Sequence, residues 1–136
     1  MTNQALARSY FEKARVRLFV LDILLEKQSY SDVVREAQEA VELALKGMLR
    51  QVGIEPPKFH DVGGILLENR ERFVLEVKEH LDRLAAISAW LRKEREFSFY
   101  GDIDFIPTEQ YSKEDAIQAL EDARFVVAIA ERVIFG

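Results

Sequence analysis

With 136 residues, 49% of them hydrophobic and 32% charged, the chain is sized for a single domain over residues 1–136. Disorder and a membrane-spanning protein both fit poorly, because no uncharged apolar run approaches the roughly 20 residues that a bilayer requires. A net charge of -5 argues against an all-over electrostatic grip on nucleic acid and leaves room for a local basic patch, and the absence of cysteine excludes disulfides, zinc–thiolate sites and thiol nucleophiles.

The first element is a helix from Gln4 to about Lys27, with Leu6, Tyr10, Ala14, Leu18, Leu21 and Leu25 at three- and four-residue spacing on one face. Its longest apolar run, RLFVLDILLE, is broken by Asp22. The stretch before it shows no basic segment followed by an apolar one, so a cytosolic location is expected. Ser29-Tyr30-Ser31 then supplies a turn, with Ser31 as the expected N-cap of a second helix. The buried stripe of that helix is predicted to be Val34, Ala37, Val41, Ala44, Leu45, Met48 and Val52, with Arg35, Glu39, Glu42 and Lys46 on the other side and Gly53 at the C′ stop.

The connection PPKFHDVGG, residues 56 to 64, precedes a short helix expected over Ile65 to Asn69. A long helix from Glu71 to about Glu94 should bury Phe73, Val77, Leu81, Leu84, Ile87 or Ser88, and Leu91. The segment EFSFYGDIDFIPTEQY, residues 96 to 111, breaks the pattern at Gly101 and Pro107 and carries five aromatic rings. A loop so rich in rings is expected to pack. Ser112 and Asp115 resemble a capping pair for the last helix, which should bury Ala116, Leu120, Ala123, Val127, Ala130 and Ile134. No strand pattern competes, so the expected fold is all-α: an antiparallel up-down bundle of four long helices, with a short fifth after His60. Ile117, Val126, Ile129 and Val133 widen the apolar sector of the last helix, which predicts a homodimer packed through it.

The chemistry-bearing residues are few. His60 stands beside Asp61, where the carboxylate could orient the ring for acid–base work, or could simply cap the following helix at Gly63-Gly64. His80, flanked by Lys78 and Asp82, reads as an ordinary exposed residue. Glu39, Glu42 and Lys46 could line a cleft with Lys46 turned to a phosphate, or form a solvated face. Asp102 and Asp104 could hold Mg²⁺ with phosphate, or serve as turn residues around Gly101. There is no GxxxxGK[ST], GxGxxG, HExxH or GxSxG pattern, so the familiar nucleotide-binding, metalloprotease and hydrolase signatures are absent.

Residues 32 to 66, DVVREAQEAVELALKGMLRQVGIEPPKFHDVGGIL, resemble the pattern of the HEPN domain, an AxQxAxExxLK helix followed by proline, histidine and an apolar run. The matching positions are Ala37, Gln38, Ala40, Glu42, Leu45, Lys46, Pro57 and His60. Residues 96 to 127 resemble the aromatic loop, proline turn and closing helix of that family. The resemblance implies one of two roles. One is the partner or nucleotide-binding subunit of a minimal nucleotidyltransferase, in a toxin–antitoxin-like pair. The other is a dimeric, metal-independent endoribonuclease with an Arg-x4-6-His motif. No arginine stands at that spacing, since Arg50 before His60, and Arg70 and Arg72 before His80, lie too far upstream; Phe99-Tyr100-Gly101 replaces the Arg-Tyr-Pro of many relatives. The expected site draws Glu39, Glu42, Lys46, His60 and Asp61 toward Tyr100, Asp102 and Asp104, with no cofactor. The expected partners are a second copy, a nucleotidyltransferase, and a nucleotide or RNA, but no membrane. A structural protein-interaction module is the remaining alternative.

Overall fold

Helix α1, Asn3–Glu26, begins at Thr2, whose hydroxyl accepts from the Ala5 N–H at 3.0 Å. This satisfies one of the amide groups that every helix start leaves open. The computed structural model describes residues 2–58, 61–99, 101–103 and 105–136, with residues 96–99 described through their backbone alone. Within these residues the chain is all-α, with seven helices and no named strand.

Helix α2, Tyr30–Gln51, is the centre of the packing and touches α1, α7 and α5. Its predicted stripe from Val34 to Met48 is fully buried, with Val52 half-buried at the end. The start differs from expectation. Gln28 takes a left-handed turn at φ 61, Ser29 is the cap position, and Ser29 donates to the Asp32 carboxylate at 2.6 Å, while Ser31 is buried one residue into the helix. The end is as predicted. Gly53, at φ +85, donates to the Arg50 carbonyl and Ile54 to the Leu49 carbonyl, the paired bonds of a Schellman stop.

The short helix α3, Val62–Glu68, starts three residues earlier than spacing suggests, because Asp61 accepts from the Gly63 N–H at 3.1 Å and so caps it. Beyond it, the single long helix expected from Glu71 is broken into three pieces. A 3₁₀ turn spans Arg70–Arg72, helix α4 covers only Leu75–Lys78, and helix α5 runs Leu81–Phe99. Phe73 and Val74 are extended between them. The apolar spacing misled here because Phe73 and Val77 still reach the core from a turn-and-bend path.

Helix α5 also carries helical backbone past the expected Glu94, to Phe99. Gly101, at φ +71, then turns the chain into a small loop in which Asp102 and Phe105 exchange backbone hydrogen bonds. Helix α6, Pro107–Gln110, leads to α7, Lys113–Phe135, whose start is a full capping box between Ser112 and Asp115. All six predicted core positions of α7 are buried.

Val126 and Ile129 are buried as well, and Ile117 and Val133 are half-buried. The sector of α7 that the sequence offers to a second copy is therefore consumed within the chain. Helix α1 shows the converse. Its buried residues are Ala7, Phe11, Ala14 and Leu21, so Leu6 and Tyr10 sit at the edge of the core rather than in it. Among the described residues, no helix is long and apolar enough to cross a membrane.

Candidate functional site

Gln38, Glu39, Glu42 and Lys46 follow one another along α2, and α5 lays Arg92 and Arg95, one helical turn apart, against the same region. Arg95 pairs with Glu39 at 2.7 Å. Lys46 lies 3.6 Å from Glu42, and Gln38 donates its amide to Glu42 at 3.2 Å. Arg92 reaches Asp61 at 3.9 Å, so the residue that caps α3 also faces α5. The result is a polar seam between α2, α3 and α5, half-buried at Glu39, Glu42 and Lys46 and exposed at Asp61, Arg92 and Arg95.

Glu39, Glu42, Lys46 and Asp61 thus stand in or beside one seam, and the α2 stripe is no freely solvated face. His60, Tyr100 and Asp104 lie outside the described residues. Asp102 serves its own turn, with its carboxylate accepting from the Ile103 N–H at 2.7 Å. Two arginines of the seam, Arg92 and Arg95, carry no signal of their role in the spacing of α2 or of the PPKFHDVGG stretch. Their place depends on which helix packs on which.

The seam has unfinished hydrogen bonding. Gln38 is almost fully buried, and its side-chain oxygen has no hydrogen-bond partner among the described residues. A buried amide oxygen without a donor costs free energy, about 1–3 kcal/mol. The loop after α5 is tied down beside it. Tyr111 donates to the Glu94 carboxylate at 3.2 Å, and the Phe105 ring meets the Tyr111 ring edge-on at 5.7 Å. Burial, reinforced by the negative charge of Glu94, raises the Tyr111 phenol above its usual range, so this donor keeps its proton. Among the described residues, no group of three or more histidines or carboxylates is placed to hold a metal ion.

His80 and Asp122 form a separate neighbourhood where α5 begins against α7. His80 is half-buried rather than freely exposed, with its ring edge-on to Phe125 at 5.5 Å, and the Arg83 guanidinium lies 3.7 Å over the same Phe125 ring. Asp122 is buried and accepts from Gln118 at 2.9 Å. Burial raises its carboxyl above the ordinary 3.8, although the Gln118 bond and Arg83 pull the other way. A carboxyl raised in the folded state costs stability once the unfolded chain can ionise, and costs nothing while both states are protonated. Asp122→Asn is therefore expected to raise the melting temperature at pH 7, with the gain shrinking as pH falls from the raised folded value toward 3.8 and absent well below it. Thermal melts of both proteins across pH check this; an equal gain at all pH values would refute the ionisation argument.

The model of the HEPN domain matches residues 7–133, nearly the whole chain. The chain belongs to the HEPN family. This HEPN chain is also similar to a protein of Methanocaldococcus jannaschii named "Putative toxin MJ1304". The two are 25% identical over 134 aligned positions, which cover 93% of this chain and 87% of the relative. The match includes α2 and α5, the two helices that build the seam.

Proposed function

We propose that this HEPN protein is the helical component of a toxin–antitoxin-like pair, working as a homodimer beside a minimal nucleotidyltransferase and binding a nucleotide at the seam of α2, α3 and α5. Its four long helices, α1, α2, α5 and α7, would form the antiparallel up-down bundle that presents this seam. The observation that carries the reading is the pairing of Arg92 and Arg95 with Asp61 and Glu39 beside Lys46 and the unsatisfied Gln38 oxygen. Partly exposed ion pairs of this kind add about 1 kcal/mol or less each to folding. A set of them around an unsatisfied acceptor is better explained by recognition, since a phosphate can take the place of a carboxylate on arginine. The toxin name of the relative supports a toxin–antitoxin setting.

A specific observation also favours a second reading, a metal-independent endoribonuclease using His60. No arginine precedes His60 at motif spacing, yet Asp61, its neighbour in the chain, lies 3.9 Å from Arg92 of α5. A guanidinium brought by another helix could stabilise phosphate charge as one from the same segment would.

One experiment separates the readings. Purified protein is incubated with mixed single-stranded RNA in EDTA, beside His60→Ala, after circular dichroism confirms that both fold. Cleavage by the wild type that falls about 10²–10⁴-fold in the variant, the usual span for a lost acid–base group, establishes the nuclease. Absence of cleavage by the wild type leaves the partner role. That role then requires calorimetric binding of a nucleotide that Arg95→Glu weakens, and co-purification with a nucleotidyltransferase; failure of both would refute it.

A further inference from the structure

Helix α1 is apolar on two opposite faces. One carries Ala7, Phe11, Ala14 and Leu21 into the core. The other leaves Val16, Phe19, Val20 and Ile23 exposed at 47%, 59%, 36% and 56%, spaced i, i+3, i+4, i+7, which is the pattern of a helix face meant to be covered. The exposed charges beyond the two ends of this stripe are Glu12 and Lys13 on one side and Glu26 and Lys27 on the other.

We infer, on the homodimeric reading above, that this outer face of α1 is the docking surface for a second copy of the chain, packed antiparallel about a two-fold axis between Phe19 and Val20. The charges decide both the occupant and the direction. A two-fold axis at the centre of the stripe sets Val16 against Ile23 of the second copy and Phe19 against Val20. The same operation sets Glu12 against Lys27 and Lys13 against Glu26. Every flanking pair is then of opposite sign, and each occurs twice, because an isologous contact repeats itself. A parallel arrangement would set each of these charges against its own like, which is unfavourable. Arg17 and Asp22, at the margins, are already held within the chain by Glu36 at 3.5 Å and Arg124 at 2.6 Å, and this keeps the flanks of α1 in place. Arg15 lies 5.7 Å over the Phe19 ring and pairs with Glu12 at 3.0 Å. The ring at the centre of the face is thereby steadied before any contact forms.

The contact spans Glu12 to Lys27, about 24 Å of helix at 1.5 Å per residue.

Sedimentation equilibrium across the micromolar range tests the inference. Phe19→Glu, at an exposed position, should leave the circular dichroism and melting unchanged and weaken association by at least about tenfold. Lys13→Glu alone should also weaken it, and adding Glu26→Lys should restore it, a rescue that only a self-complementary antiparallel contact produces. The chain has no cysteine, so Val20→Cys supplies a single thiol that a short bis-maleimide should link across the two-fold axis, whereas Glu131→Cys on α7 should stay unlinked. A dimer that tolerates Phe19→Glu and does not link at position 20 overturns the α1 face while the homodimeric reading survives. A protein that stays monomeric at every concentration overturns both.

Discussion

Replacing Gly63 with valine is expected to destabilise the fold by about 3 kcal/mol, while replacing the adjacent Gly64 with alanine is expected to stabilise it by about 0.5–1 kcal/mol. The two glycines share a helix and differ in what lies over them. A Cβ on Gly63 would stand 2.8 Å from the Ala85 Cα and 3.2 Å from its carbonyl oxygen, so α3 lies directly against the backbone of α5 at this point. Backbone atoms cannot swing aside as a side chain can, and the whole of α3 would have to move off α5. On Gly64 a Cβ meets only the Asp61 side chain, at 3.5 Å or more, an ordinary contact. There the gain is the backbone freedom that glycine loses in a helix. Urea unfolding of the two variants measures both signs. Since α3 carries the Asp61 cap that faces Arg92, Gly63→Val should also weaken any nucleotide binding at the seam, and Gly64→Ala should not. Equal effects of the two substitutions would show that α3 does not rest on α5 as the contact implies.

The closing helix was legible because its cues agree: the Ser112–Asp115 box fixes the start, and six apolar positions at helical spacing fix the face. The same holds for α2 and its glycine stop. Helix α1 was legible as a helix and in the face it turns inward: Ala14 and Leu21 are in the core and Leu18 and Leu25 pack against it, while packing adds Ala7 and Phe11 and leaves Leu6 and Tyr10 half-buried. Its second apolar stripe, Val16, Phe19, Val20 and Ile23, obeys the same spacing rule and stays outside. Residues 70–81 misled for a related reason. Spacing records which residues are buried, and both a continuous helix and the observed turn, extended pair and short helix bury Phe73 and Val77.

The site divides along the same line. On the α2 side the Glu42–Lys46 pair is local and was readable from its i,i+4 spacing, as was the capping use of Asp61. Arg92 and Arg95 were not, because an ion pair between α5 and α2 or α3 joins residues some thirty to sixty positions apart in sequence. The membership of the family was readable from Ala37, Gln38, Ala40, Glu42, Leu45, Lys46, Pro57 and His60. Gln38 and Leu45 illustrate what such a pattern contains. One is a buried amide facing the seam and the other a buried aliphatic side chain behind it.

Leu45→Ala is the second large effect, a loss of about 3 kcal/mol within the 2–5 kcal/mol span of buried leucine truncations, or roughly 10 °C in melting temperature for a chain of this size. Leu45 is fully buried on α2, the helix against which α1, α5 and α7 pack, so the cavity it leaves is bounded by helices that cannot all close on it at once. Hydrophobic transfer alone would account for about 2 kcal/mol of the loss, and the unfilled volume for the rest. Leu75→Ala makes the matched control. Leu75 is 71% exposed on the four-residue helix α4, and its truncation should change stability by less than about 0.5 kcal/mol. Leu45 also lies one residue before Lys46, so a shift of α2 into the cavity would move Lys46 relative to Arg95. Nucleotide binding that falls with Leu45→Ala under conditions where the variant is still fully folded would show that the seam depends on the packing behind it. A variant as stable as the wild type would mean that α2 is not the helix on which the others rest.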